Sequence, residues 1–282
     1  MSTSPREDHI LEGPHGPLRI RVYSPHSPTG HGLVWAHGGG FAGGDLDMPE
    51  ADAVARAFAD RGILVASVDY ARAPVTAEWS ARLGTPEREG ASYPIAHDEV
   101  VAAFRWAVSS RPATRGWAIG GASAGGNLAA GAALRLSHDP GPRPSLAVLA
   151  YPTLHAVQAA PPVELRTLLD AAPEADVFPP AFVRGMYENY LGGDIAAADA
   201  YAIPGTAEPE ALADFPPTIM VNDETDELRV SGEAFADSLR AAGVDVTTVV
   251  EPGTTHGHLN RPEEPAFTVT IDRFTARIRR LA

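Results

Sequence analysis

The 282-residue chain predicts an α/β fold, a mostly parallel sheet covered by helices on both faces. Three observations carry this. Short apolar runs alternate with segments of helical spacing over most of the chain. Two of those runs stop at glycine-rich turns, His37-Gly38-Gly39-Gly40-Phe41 and Gly121-Ala122-Ser123-Ala124-Gly125-Gly126. Both turns fall at the carboxyl ends of their strands, where open α/β sheets bind ligands.

The elements follow in order. Leu18–Tyr23 alternates apolar and basic residues, the pattern of a half-exposed edge strand. Pro25–His31 is a turn region, and Gly32–Ala36 is a buried strand. Between Met48 and Arg61, Ala51, Val54, Ala55 and Phe58 recur at helical spacing, and Gly62 suits a helix cap. Ile63–Val68 is a strand that closes on Asp69. Residues 75–92 mix proline, glycine and charge and are expected to form a loop insertion. Ile95–Ser109 is a helix with Val100, Val101, Phe104 and Val108 on one side. Trp117–Gly120 is a strand that leads into the serine turn and an alanine-rich helix, Gly125–Leu136. Leu146–Ala150 is another buried strand. From Pro152 to Phe215 the rhythm stops. This proline-rich stretch, with a helix expected near Ala181–Leu191, reads as a reduced helical cap, residues 152–215, set into one domain spanning 1–282. Strand Thr218–Val221, helix Val230–Ala242 with Gly243 as its cap, strand Val244–Val250 and helix Pro265–Leu281 complete the pattern. Trp106 and Trp117 are expected in the core.

Composition narrows the chemistry. A net charge of −14 argues against nucleic acid and against a polybasic membrane anchor. Cysteine is absent, which excludes thiol nucleophiles, disulfides and thiolate metal sites. Lysine is absent too, which removes P-loops, Schiff bases and serine–lysine dyads. The N-terminus lacks a basic-then-apolar signal pattern, and no run reaches the roughly 18 apolar residues of a membrane span. The expectation is a soluble, cytoplasmic protein. A homodimer, if formed, would use strand Val244–Val250 or the final helix.

Gly121-Ala122-Ser123-Ala124-Gly125 has the form G-x-S-x-G, in the strand–turn–helix context that lifts a serine hydroxyl clear of a sheet. The plain alternative is a capping serine at a glycine-rich helix start. A nucleophilic Ser123 needs a histidine or carboxylate base, since lysine is missing. In a fold of this type the base follows the serine, with the acid between them. His256 lies in a loop directly after the last predicted strand; His258, two residues on, competes with it. His138 suits a helix C-terminus, and His155 falls in the cap stretch. The acid should leave strand Thr218–Val221, where Asp223, Glu224, Asp226 and Glu227 compete. The first glycine turn offers backbone N–H groups to a developing oxyanion.

Two other chemistries are weaker. Gly38 to Gly43 fits G-x-G-x-x-G, with Asp69 ending the next strand, as in a nicotinamide-dependent oxidoreductase. That motif should open its helix directly, yet Gly44-Asp45-Leu46-Asp47-Met48-Pro49 intervenes. His256-x-His258, with His37 or Asp226, would make a metal site of low specificity.

The ordered set HGGGF, Asp69-Tyr70-Ala71-Arg72-Ala73-Pro74, GASAGGN, Phe215-Pro216-Pro217, Asp226-Glu227-Leu228-Arg229 and His256-Gly257 resembles the bacterial hormone-sensitive-lipase-like esterases. The resemblance runs from about Leu18 to the C-terminus. It implies an α/β-hydrolase fold and hydrolysis of short-to-medium acyl esters through Ser123, Asp226 and His256, without cofactor or metal. It implies oxyanion donors at Gly39, Gly40 and Ala124, and selects Asp226 through its D-x-L-R stretch. An amidase or formamidase on the same fold is the nearest alternative. Ala122 replaces a frequent aspartate, an arginine in the D-Y-A-R-A-P stretch has moved by one place, and His258 stands where phenylalanine is common. The segment before the first strand is short, so the cap would come mainly from residues 152–215. Phe41, Phe182, Met186 and Tyr187 are the expected pocket residues, with Phe178 on the same helical stripe. Trp79 is either a lid residue or an exposed aromatic, and His97 is structural.

Overall fold

The computed structural model describes residues 4–83, 85–111 and 113–281. Its centre is an eight-stranded sheet: β1 (Arg6–Gly13), β2 (Gly16–Tyr23), β3 (Gly32–Ala36), β4 (Leu64–Asp69), β5 (Trp117–Ala122), β6 (Leu146–Ala150), β7 (Thr218–Thr225) and β8 (Val246–Thr255). The spatial order is β1-β2-β4-β3-β5-β6-β7-β8. β2 is antiparallel to both its neighbours, and every pair from β4 to β8 is parallel. The central strands are apolar on both faces because helices cover both. Val34 and Ala36 of β3 pack toward α3 (Ile95–Ser110), α4 (Ala124–His138) and α8 (Arg229–Ala241). Leu33 and Trp35 pack toward α1 (Pro49–Asp60) and α9 (Pro265–Ile278).

Leu18–Tyr23 is not the sheet edge. It forms most of β2, and β1 lies outside it. β1 is mostly exposed and carries five charged or histidine side chains in its first seven residues, so it shows no apolar alternation. Acidic residues of the two flanking strands explain the basic residues of β2: Arg21 bonds Asp8 of β1 at 2.6 Å, and Arg19 bonds Asp69 of β4 at 2.8 Å. Trp117 is buried as expected, but Trp106 is only half-buried, against His9 and Arg111.

Residues 75–92 are not simply a loop. They contain α2 (Ala77–Leu83), and an isolated bridge joins Val75 to Arg88. The stretch between β6 and β7 holds α5 (Val163–Ala171), α6 (Pro180–Leu191) and the single-turn α7 (Pro209–Leu212), linked by short 3₁₀ turns. Among the described residues no helix is long and apolar enough to cross a membrane.

Two registers position the site. Ala36 of β3 pairs with Gly121 of β5, so both glycine-rich turns leave the sheet side by side. Thr225 of β7 pairs with Thr255 of β8 after a bulge, so Asp226 and His256 emerge as neighbours. Glycine is required where α4 docks on β3. A Cβ on Gly125 would stand 2.2 Å from the carbonyl oxygens of both Ala36 and His37. Both obstacles are backbone, so the helix itself must shift. Gly125→Ala is expected to cost about 1–3 kcal/mol, read as a lower urea midpoint at unchanged slope. An unchanged midpoint would show that α4 is not seated this tightly.

Candidate active site

Ser123 sits between β5 and α4 at φ 53°, ψ −120°, a conformation L-residues rarely adopt. The surroundings enforce it. The Ser123 amide bonds Ala150 O at 2.9 Å, and its carbonyl accepts from the Asn127 amide at 3.2 Å. The hydroxyl is thereby presented to His256, whose Nε2 it meets at 2.9 Å. His256 Nδ1 donates to Asp226 Oδ2 at 2.7 Å. Asp226 is fully buried, and its Oδ1 accepts the Leu228 amide at 2.9 Å. The aspartate therefore fixes the tautomer that leaves Nε2 free to accept a proton.

Burial lowers the proton affinity of His256, but the charge and hydrogen bond of Asp226 outweigh it. Asp223 and Glu50 add to them, so the pKa stands above its ordinary value. Two rings hold the imidazole. Tyr151 meets it edge-on at 5.1 Å and Phe178 at 4.5 Å.

The carboxylates and histidines that competed in the sequence go to separate partners. Asp223 bonds His258 Nδ1, while His258 Nε2 meets Thr270 Oγ1 at 2.8 Å, and His258 is fully buried. Glu224 accepts the Gly253 amide, and Glu227 accepts the Phe178 amide. His138 bonds Tyr201, and His155 bonds Ser231. His97 lies buried between Tyr93 and Tyr201, where burial pushes it down to about 4.

The metal reading built on His256-x-His258 fails on these bonds. Both nitrogens of His258 are spent elsewhere, and His37 Nδ1 donates to Gly38 O at 2.7 Å. Among the described residues, ligand atoms of Asp223, Asp226 and His256 lie within 4.8 Å of one another. Asp226 and His256 are already bonded to each other, and Asp223 to His258.

The first glycine turn reverses the chain through positive φ at Gly39, Gly40 and Phe41. The Gly43 amide closes it on Gly39 O at 2.7 Å. No helix opens here, since α1 starts only at Pro49, so the dinucleotide reading lacks its geometry. Beneath the turn, buried Glu50 accepts the Gly38 amide at 2.5 Å and the Tyr151 hydroxyl at 2.6 Å. Among the described residues, the amides of Gly39, Gly40 and Ala124 have no protein acceptor.

A cavity of about 530 Å³ opens beside this turn, lined by Gly39, Gly40, Trp79, Phe178, Phe182 and Met186, with Asp176, Val177 and Pro179 completing one wall. Phe182 and Met186, four residues apart on α6, face it. Tyr187, next on the helix, does not. It is turned inward, and its hydroxyl donates to Asn127 Oδ1 at 2.8 Å. Phe41 does not line the cavity either. The positive φ values send its ring behind the turn, where it stacks on Tyr190 at 4.1 Å. Trp79 is a wall residue, packed on Phe182 at 5.2 Å.

Comparison with known proteins places the chain. A family model described as alpha/beta hydrolase fold matches residues 33–81 and 85–260. The chain belongs to that family. This α/β hydrolase is 33% identical over 270 residues to the carboxylic ester hydrolase LipN of Mycobacterium tuberculosis, spanning 90% of this chain and 64% of LipN. It is 32% identical over 261 residues to the esterase LipI of the same organism, spanning 89% of this chain and 74% of LipI. The esterase of Pyrobaculum calidifontis matches it with a TM-score of 0.80 at 28% identity, covering 100% of this chain and 88% of that one. The family is the one its ordered motifs resemble.

Proposed function

We propose that this α/β hydrolase is a serine carboxylesterase acting on short-to-medium acyl esters. The observation that carries the reading is the series Ser123 Oγ, His256, Asp226, joined at 2.9 and 2.7 Å with the serine held at positive φ. The esterase names of LipN, LipI and the Pyrobaculum protein support it.

In this reading Ser123 Oγ attacks the ester carbonyl carbon while His256 Nε2 takes its proton. The carbonyl electron pair moves onto oxygen, which the amides of Gly39, Gly40 and Ala124 receive. One such donor is typically worth about 100- to 1000-fold in turnover. The intermediate collapses, the alcohol leaves with the proton from His256, and Ser123 carries the acyl group. Water then attacks, His256 takes its proton, and the second collapse frees the acid and returns the proton to Ser123. Asp226 keeps the imidazole oriented and stabilises its charged form.

The test is a rate series over p-nitrophenyl esters from acetate to palmitate, with matched anilides. Rates are expected to fall steeply beyond medium chains, because the Trp79 and Phe182 rings close one side of the cavity. Rates that climb toward palmitate would indicate a lipase. Anilide turnover equal to ester turnover would indicate an amidase.

A further inference from the structure

Gly38, Gly39 and Gly40 carry no side chain, so little in the residues themselves restricts the peptide planes that present the turn's amides. Each plane is fixed by a partner instead. In a trans peptide the C=O and the following N–H point opposite ways. His37 Nδ1 donates to Gly38 O at 2.7 Å, which turns the Gly39 N–H the other way. The Gly43 amide donates to Gly39 O at 2.7 Å, which does the same for the Gly40 N–H. The plane before these two sets where the turn begins. Glu50 holds it, its Oε2 accepting the Gly38 amide at 2.5 Å.

Glu50 lies in the first turn of α1, where an acidic side chain ordinarily does no more than complement the helix dipole. This one is 2% exposed and spends both oxygens outside its helix. Its Oε1 accepts the Tyr151 hydroxyl at 2.6 Å and Asn260 Nδ2 at 3.1 Å. Its own backbone is pinned as well. The Trp35 indole donates to its carbonyl at 2.8 Å, and its amide donates to Asn260 Oδ1 at 3.3 Å. A Cβ on Gly38 would stand 2.5 Å from Glu50 Oε2 and 3.0 Å from Ser123 Cβ, so only bare backbone separates this carboxylate from the nucleophile.

We propose that Glu50 is a positioning residue of the glycine turn: by holding the Gly38 peptide it aims the Gly39 and Gly40 amides at the oxygen of the reacting ester. The proposal rests on the esterase reading, because the aim of those amides matters only if an oxyanion forms there.

Reach, not charge, is the operative property. A carboxylate here favours the His256 imidazolium and opposes the oxyanion, so its charge acts in two opposite senses on the transition state. Its length has one effect. Glu50→Asp keeps the charge but is a methylene short, and it cannot span Gly38 on one side and Tyr151 with Asn260 on the other. Glu50→Gln loses the charge and keeps the length. Its carbonyl can stay on the Gly38 amide, the Tyr151 hydroxyl can turn to accept from its N–H₂, and the half-buried Asn260 can turn to water.

The experiment compares wild type, Glu50→Asp and Glu50→Gln on p-nitrophenyl acetate, with phenylboronic acid as the probe of the oxyanion site. Ser123 Oγ adds to boron, its proton passes to His256, and the tetrahedral boronate carries the negative charge where the oxyanion would form. Acylation and deacylation both pass through an oxyanion, so Glu50→Asp should lower kcat at least about tenfold at a KM within about twofold of wild type. Its Ki for phenylboronic acid should rise by the factor by which kcat falls. Glu50→Gln should keep kcat within about fivefold of wild type. Ki does not depend on how much of the protein is folded. A fall in kcat at constant Ki therefore means lost protein rather than lost aim, and overturns the proposal. Wild-type kcat in Glu50→Asp overturns it too, as does a loss carried by KM. A fall in Glu50→Gln as deep as in Glu50→Asp overturns it by making charge the operative property. Absence of Ser123-dependent turnover of p-nitrophenyl acetate overturns the esterase reading beneath it.

Discussion

Replacing Ser123 with alanine is expected to lower kcat/KM for p-nitrophenyl acetate by about 10⁴- to 10⁶-fold and to leave the fold intact. The loss is large because the remaining parts cannot attack a carbonyl carbon. The amides of the glycine turn still bind, and His256 can at best activate a water in a space shaped for an oxygen on Cβ. The stability change should be small. The hydroxyl makes one hydrogen bond, to His256, worth about 1 kcal/mol, and the backbone bonds to Ala150 and Asn127 are kept. Alanine has the same difficulty as serine at φ 53°. Glycine does not, so Ser123→Gly should be more stable than Ser123→Ala by about 1 kcal/mol. That difference, read from urea midpoints, isolates the strain of the turn. An alanine variant within tenfold of wild-type activity would remove Ser123 from the chemistry. A glycine variant no more stable than alanine would mean the elbow stores no strain.

What the sequence reveals here depends on whether the signal is local. Ser123 and the glycine turn were legible because each motif is contiguous and the strand before it is apolar. The central strands and long helices were legible by their periodicity. β1 was not, because an exposed edge strand of Arg6, Glu7, Asp8, His9 and Glu12 has no buried face to pattern it. α2 was hidden by the proline and charge around it. The reach of β7 and β8 was underestimated, because Asn222, Asp223 and Glu224 look like loop residues. Yet it is the pairing of Thr225 with Thr255 that brings Asp226 to His256. Geometry read from the sequence left four carboxylates in competition, and the motif resemblance selected Asp226. In the cavity, the spacing of Phe182 and Met186 was sufficient. Phe41 and Tyr187 were misplaced because a backbone reversal and a step of one residue on α6 turn their rings away. Glu50 under the glycine turn and Glu227 against Phe178 bond partners 12 and 49 residues away. No local pattern announces contacts of that kind.

The second large effect is expected from Asp226→Asn, a fall in kcat of about 10⁴-fold with the protein still folded. Asp226 accepts two hydrogen bonds, from His256 Nδ1 and from the Leu228 amide, and it is wholly buried. Asparagine replaces one of these two acceptor oxygens with an N–H₂ donor, so only one of the two bonds can be kept in place. If its carbonyl faces Leu228, its amide N–H₂ faces Nδ1 and must donate to it. The ring then carries its proton on Nε2, the nitrogen that has to accept from Ser123. The pH profile separates this from simple damage. Burial lowers the His256 pKa, and Asp226 is the largest influence raising it above the ordinary value. The base must be neutral to act, so wild-type kcat/KM should fall as pH drops through a value above about 6.5. Without the Asp226 charge, burial dominates and the residual activity should keep its acid limb at lower pH. Stability has the matching sign. A histidine whose pKa is raised by folding contributes stability that is fully present below its unfolded value and is lost as pH rises through its folded value. The Asp226→Asn variant should therefore be further below wild type near pH 5 than near pH 9, measured by urea midpoints. An asparagine variant within tenfold of wild-type kcat, or with an acid limb at the wild-type pH, would mean that Asp226 neither orients His256 nor sets its proton affinity.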